Sequence, residues 1–150
     1  MNENLLILIA EDNEDDGYLV QHALKKAGLP NPTHICTDGL DTLDYLKGAG
    51  VYADRERYPM PRMMILDLKM PGVSGLDVLR WVKEHPKCGV IPTVILTSSQ
   101  LPSDIQQSYE LGANAYLVKP AGLGALEELL RRVHLFWSVC ELPELTTGCL

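Results

Sequence analysis

Apolar runs of four to six residues alternate along this chain with amphipathic stretches about three turns long. Residues 5–10 (LLILIA) are the first strand candidate, and an apolar run without alternation suits a strand buried on both faces. A helix follows over 14–27, with Leu19, Ala23 and Ala27 on one stripe and Val20 and Leu24 widening it. Gly28 stops it, and Pro30 and Pro32 keep it stopped. Thr33–Cys36 is a short strand. Asp38 or Gly39 opens a second helix that runs through Lys47, with Leu40, Leu43 and Leu46 at threefold spacing.

Met63–Leu66 is the third strand and ends at Asp67. Pro71-Gly72 marks a turn, Ser74 is a cap, and a helix over 75–85 turns Leu76, Leu79 and Val82 inward, leaving Trp81 off the stripe. Residues 94–96 form the fourth strand and lead into Thr97-Ser98-Ser99. A weaker helix over 103–111 is anchored by Ile105 and Tyr109. Ala115–Val118 is the fifth strand, closed by Lys119-Pro120. The last helix has the longest stripe, Leu126, Leu130, Val133 and Trp137; Pro143 is a stop, and 146–150 reads as a frayed tail.

Five apolar strands, each followed by a helix, predict an α/β fold: a doubly wound five-stranded parallel sheet with helices on both faces. A chain of 150 residues suits one domain, with a core over about 5–139 and an extension over 140–150. Residues 48–61 break the rhythm. They hold two glycines and two prolines, have no usable period, and exceed most α/β connections in length, which marks them as functional or family-specific.

Composition narrows the function. Thirteen Lys plus Arg against twenty Asp plus Glu give a net charge of -7, so no large positive field is available to hold nucleic acid. The opening apolar run lacks a basic leader and is too short to span a bilayer, so no membrane partner is expected. Cysteines 36, 88, 140 and 149 have no CxxC spacing and no paired histidines nearby; they read as free thiols in the cytoplasm. None of His22, His34, His85 and His134 sits in a carboxylate-rich motif.

In an open parallel sheet, chemistry collects beyond the carboxyl ends of the strands. There the first strand delivers Glu11 and Asp12, the third Asp67, the fourth Thr97 and the fifth Lys119. Singly these are ordinary caps and loop residues. Together, three carboxylates, a hydroxyl and an ammonium on one rim are not what a core needs. The acids repel unless a cation compensates, and an all-oxygen pocket suits a hard ion, Mg²⁺ best. A carboxylate in that field can attack phosphorus, with Lys119 neutralising the transferring oxygens and Thr97 donating to one of them.

Glu11-Asp12, the run Leu66-Asp67-Leu68-Lys69-Met70-Pro71-Gly72, Thr97-Ser98-Ser99 and Tyr116-Leu117-Val118-Lys119-Pro120 resemble the motifs of the receiver domain of two-component response regulators. The resemblance implies the flavodoxin-like strand order 2-1-3-4-5. It makes Asp67 the phosphoacceptor, and Glu11 and Asp12 the acidic pair that holds Mg²⁺ together with Asp67 and the Lys69 backbone carbonyl. Thr97 becomes the switch hydroxyl, Tyr116 the aromatic that turns inward on activation, and Lys119 the phosphoryl-binding lysine. It further implies a cis bond before Pro120, a sensor histidine kinase or histidine phosphotransfer protein as donor, and no enzymatic activity beyond self-phosphorylation and autodephosphorylation. Lys69 is a departure, since its cationic side chain lies near the path of the hydrolytic water.

The 48–61 insertion and the closing Phe136-Trp137-Ser138-Val139-Cys140-Glu141-Leu142-Pro143 resemble, more narrowly, the small stand-alone regulators that partner bacterial phytochromes. Those regulators dimerise through the fourth and fifth helices, which implies a homodimer and no DNA-binding output domain. Three other classes compete. A haloacid dehalogenase-like phosphatase would place a second aspartate where Lys69 stands. A flavin carrier would not follow its first strand with six acidic or amide residues, 11–16. A pseudo-receiver interaction module would not need the full phosphotransfer set.

Overall fold

The strands are short and their side chains leave both faces dry. The computed structural model describes residues 5–144 and 148–149. Strands β1 (Ile7–Ala10), β2 (Thr33–Cys36), β3 (Met63–Leu66), β4 (Thr93–Thr97) and β5 (Ala115–Val118) form one sheet in the order β2-β1-β3-β4-β5, every neighbouring pair parallel. This is the doubly wound, flavodoxin-like order. Every residue of β1, β3 and β4 is buried, as strands covered on both sides require.

Alternation along each strand divides the core in two. Ile7, Ile9, Met63, Ile65, Val94 and Leu96 face helices α1 (Glu14–Lys26) and α5 (Leu123–Ser138), which contribute Val20, Ala23, Leu24, Leu126 and Leu130. Leu8, Ala10, Cys36, Leu66 and Ile95 face the other way, toward helices α2 (Gly39–Lys47) and α3 (Gly75–Lys83), with Leu43, Tyr45, Leu46, Val78, Leu79 and Val82. Helix starts are set by side chains. Asn13, Asp38 and Ser74 each accept a backbone N–H three residues on, and Ser74 and Asp77 close a reciprocal capping box.

The stripes differ from expectation at their margins. Leu19 is 43% and Leu40 57% exposed, because the buried centre of α1 runs through Val20, Ala23 and Leu24 and that of α2 through Leu43 and Leu46. Trp81 is half-buried, stacked on His85 at 3.9 Å. Phe136 is 62% exposed while Trp137 packs on the core. The larger correction concerns α4 (Pro102–Glu110). Its buried residue is Ser108, whose hydroxyl bonds back to the Asp104 carbonyl, and the expected anchor Tyr109 is 50% exposed. The helix is turned so that Ser108 faces the sheet and Tyr109 lies over the edge strand, accepting the Tyr116 N–H at 3.1 Å.

The insertion is ordered around aromatic rings. A short 3-10 turn at Gly50–Ala53 brings Tyr52 against Tyr45, Tyr58 and His34. Cysteine pairing also departs from the sequence reading: Cys88 and Cys149 form a disulfide with Cα atoms 4.9 Å apart, leaving Cys36 and Cys140 as the free thiols. A separation of 61 residues leaves no local spacing to read. Of the tail read as frayed, residues 146, 147 and 150 lie outside the described residues, and Cys149 is buried.

Two glycines allow the loops at the sheet's carboxyl end to close. A Cβ on Gly75 would stand 2.2 Å from the Asp67 carbonyl oxygen, and one on Gly39 would stand 2.0 Å from that of Val73. Backbone cannot yield there as a flexible side chain would. Gly75→Ala should cost roughly 1–3 kcal/mol or more by overpacking. Gly124→Ala, at an open position within α5, should be neutral or stabilise by about 0.5–1 kcal/mol. Urea unfolding of the two variants checks the contrast; equal destabilisation would contradict the close approach.

Candidate functional site

Parallel register carries the chemistry to one rim. Ala10, Leu66, Thr97 and Val118 end their strands, so the next residues, Glu11, Asp67 and Lys119, emerge side by side. Backbone bonds fix them: Glu11 N–H donates to the Cys36 carbonyl at 3.0 Å, Asp67 N–H to Ala10 at 2.9 Å, and Lys119 N–H to Thr97 at 2.8 Å. The Lys119 ammonium lies 2.6 Å from Glu11 Oε2 and 2.8 Å from Asp67 Oδ2. Glu11 and Asp67 are buried, whereas Asp12 is exposed beside them. Carboxylate oxygens of all three come within 4.8 Å of one another, close enough to share a metal ion.

Burial and partners split the two buried acids. Desolvation, together with a hydrogen bond shared with Asp67, pushes the Glu11 carboxyl up to about 7, against the pull of Lys119. Asp67 also suffers desolvation, but the bonds from Glu11, Lys119 and the Lys69 N–H outweigh it and hold its carboxyl below the usual range. The Lys69 N–H donates to Asp67 Oδ1 at 3.1 Å, and the Asn13 N–H makes the corresponding contact to Glu11 Oε1 at 3.2 Å. Lys119 loses hydration on burial, yet its two carboxylate partners raise its pKa, so it stays an ammonium.

The remaining predicted residues stand around this centre. The Thr97 side chain is fully buried and its hydroxyl accepts the Ser99 N–H at 3.4 Å, while Tyr116 is half-buried and donates to the Ser99 carbonyl at 2.9 Å. The bond before Pro120 is trans, as are all peptide bonds among the described residues, unlike the cis bond the resemblance implied. Lys69 turns its side chain outward: it is 59% exposed and lies 3.4 Å from Asp104 Oδ2 on the first turn of α4. Asp104 in turn accepts the Ser99 hydroxyl at 2.5 Å.

Three participants escaped the sequence reading. Asp16 lies 3.6 Å from the Lys119 ammonium, and Ser99 and Asp104 join Lys69 to the fourth helix. Asp16 had a signal, since it stands four residues after Asp12 in the acidic first turn of α1 and so returns to the same side. Ser99 and Asp104 had none beyond proximity to Thr97.

Residues 7–131 match the model of the response regulator receiver domain. The chain belongs to the response regulator receiver family. Its phosphoacceptor role in two-component signalling follows from that membership, and receiver domains are not, in general, catalytic enzymes. Response regulator Rcp1 of Synechocystis is 36% identical over 136 residues, covering 91% of this chain and 90% of that protein. Among solved structures, the phosphorylated cyanobacterial phytochrome response regulator RcpA superposes with a TM-score of 0.86 at 33% identity, covering 94% of this chain and 99% of its own. The Mn²⁺-bound form of Rcp1 superposes with a TM-score of 0.83 at 35% identity, covering 93% and 99%. Among the described residues, no helix is long and apolar enough to cross a membrane.

The split between the acids sets how metal-free stability varies with pH. Burial pushes the Glu11 carboxyl up to about 7 from its ordinary 4.5, so the folded receiver holds a proton that the unfolded chain has lost in between. That contribution is complete below about 4.5 and gone above about 7. Asp67 has the opposite sign: its contribution is present above 3.8 and is lost only in stronger acid. In a chelator, stability should therefore fall as pH rises from 5 to 7.5, and Glu11→Gln should flatten that slope. Denaturant midpoints across the window test it; a rising slope in the wild type contradicts the assignment.

Proposed function

We propose that Asp67 accepts the phosphoryl group, and that the cluster of Glu11, Asp67 and Lys119 is the observation that carries this reading. The donor is a phosphorylated histidine on a sensor kinase or a phosphotransfer protein. An Asp67 carboxylate oxygen attacks phosphorus, a P–O bond forms, the P–N bond breaks, and the leaving imidazole takes a proton. Asp67 suits the role because it stays ionised while buried. Lys119, already 2.8 Å from it, moves its charge onto the incoming oxygens.

Glu11, Asp12 and Asp67, with the Lys69 backbone carbonyl, are the proposed ligands of Mg²⁺. The all-oxygen donor set fits a hard ion, and the closeness of the three carboxylates supports the reading. When bound, the ion supplies positive charge that shields attacking and transferred oxygens from one another. Within this reading the receiver directs its own phosphorylation and hydrolysis. Lys69, held outward by Asp104, leaves the hydrolytic water's path to the acceptor open.

Thr97 and Tyr116 form the proposed switch. Phosphorylation adds roughly one to two negative charges and several acceptors, which draws the Thr97 hydroxyl toward Asp67 and gives the Tyr116 ring space to move further in. The surface altered is α4, β5 and α5. It presents Tyr109 at 50%, Val118 at 37% and Leu123 at 37% exposure. Next to the β5 edge lies an apolar groove of about 630 Å³ lined by Ala115, Leu117, Leu129, Val133 and Trp137, among others. A second copy of the chain is the proposed occupant of this face. We further propose that the chain works as one receiver unit, core 5–139 and extension 140–150, in the cytoplasm where ATP charges histidine kinases. The likeness to the phytochrome regulators RcpA and Rcp1 supports a kinase of the phytochrome class as donor.

A small phosphodonor with Mg²⁺ should add one phosphoryl group to the wild type and none to Asp67→Ala, read by intact mass; equal labelling of both sinks the acceptor. Calorimetric titration should show Mg²⁺ affinity lowered at least tenfold in Asp12→Ala, with the metal-free variant as stable as wild type or more so. An unchanged affinity counts against the site. Beryllofluoride should raise the dimer fraction in sedimentation, and Thr97→Ala should remove that rise. A monomer in both states refutes the dimer and leaves Asp67 standing.

A further inference from the structure

The acidic rim is not the only compact set of metal-ligating groups among the described residues. His34 and Cys36 alternate by two along β2 and so point to one face of the sheet. The Asp38 cap starts α2 immediately beyond the strand, and the Asp41 N–H bonds to Asp38 Oδ1 at 2.7 Å. That geometry turns the Asp41 carboxylate back over the strand end. Donor atoms of His34, Cys36 and Asp41 consequently lie within 4.8 Å of one another.

A fourth donor closes the group. The Tyr52 hydroxyl, delivered by the insertion, donates to Asp41 Oδ1 at 2.7 Å and lies 3.3 Å from His34 Nε2. Rings of Tyr45, Tyr52 and Tyr58, at centroid distances of 5.0, 5.6 and 5.7 Å, wall the His34 imidazole and restrict its plane. We propose that His34, Cys36 and Asp41 form a second, structural metal site that takes a borderline divalent ion such as Zn²⁺, with the Tyr52 hydroxyl or a water as fourth ligand.

The donor chemistry separates this site from the rim. One nitrogen, one sulfur and one carboxylate oxygen select a borderline ion over Mg²⁺. Tetrahedral Zn²⁺ with bonds of about 2.0–2.3 Å sets its ligand atoms roughly 3.3–3.8 Å apart, so the cluster need contract by no more than about 1.5 Å. Charge balances as well. Binding forms a metal–sulfur bond as the Cys36 S–H proton leaves to water, and the thiolate and the Asp41 carboxylate together cancel the two positive charges. A neutral loaded site is what a fully buried sulfur demands. The bound ion would fasten the insertion to β2, one strand from Glu11.

Co²⁺ is the spectroscopic probe and Zn²⁺ the competitor, added to the full chain in excess Mg²⁺. About one equivalent of Co²⁺ should give the visible bands of a four-coordinate ion and a thiolate-to-cobalt charge-transfer band, both displaced by Zn²⁺. The charge-transfer band should vanish in Cys36→Ala, persist in Cys140→Ala, and persist in Asp67→Asn, whose rim is weakened. Zn²⁺ affinity should fall at least tenfold in His34→Gln. Absence of the band in wild type, or its survival in Cys36→Ala, overturns the site. Should Cys36→Ala fail to unfold cooperatively, the half-exposed His34→Gln decides alone: unchanged Zn²⁺ affinity there also overturns it.

Discussion

An ammonium wedged between two buried carboxylates is the interaction on which this receiver is organised. Lys119 lies within hydrogen-bonding distance of both Glu11 and Asp67. Without it, two acids with almost no exposure would face each other in a low-dielectric rim, a cost that the fold has no apolar contact to offset. The arrangement is stable without being finished. One acid is pulled toward protonation and the other is kept ionised.

A short chain of contacts runs from the rim to the surface. Lys69, two residues after Asp67, pairs with Asp104; Asp104 accepts from Ser99; and the Ser99 carbonyl holds the Tyr116 hydroxyl. Helix α4, to which Asp104 belongs, buries Ser108 and little else. In the proposed switch this lightly packed helix is the element that moves, since a few kcal/mol of differential interaction is enough to reverse a two-state population. Helix α5 differs: Leu126 and Leu130 reach the core, and Val133 and Trp137 extend the contact. The rigid helix and the loose one flank the same edge strand.

Much of this was legible because strands carry their information in one dimension. Continuous apolar runs fixed β1, β3 and β4, and whatever follows a strand must emerge at the rim, so Glu11, Asp67 and Lys119 could be placed together before any geometry was known. Helix faces were legible only to within one residue. Leu19 and Leu40 look inward by spacing, yet a helix can roll by part of a turn to seat Val20 or Thr42 against the sheet. Tyr109 failed for the same reason. Groups brought together by helices and loops rather than by strand ends were illegible, as with Asp16 beside Lys119, Cys88 beside Cys149, and Asp41 with Tyr52 beside His34. In each case the partners share no periodicity, and only the tertiary path of the chain brings them near.

The span of the Lys119 bridge has a consequence for the order of assembly. The lysine is 108 residues from Glu11 and 52 from Asp67, and it arrives at the end of the outermost strand. During synthesis β1 and β3 can pair long before β5 leaves the ribosome. Until then the two acids have no cation from their own chain, and the half-built sheet carries an exposed negative rim that resists closing. Docking of β5 both completes the sheet and discharges that repulsion. Completion of the sheet and neutralisation of the acidic rim therefore depend on the same strand, and a chain that ends before residue 119 lacks the cation that bridges Glu11 and Asp67.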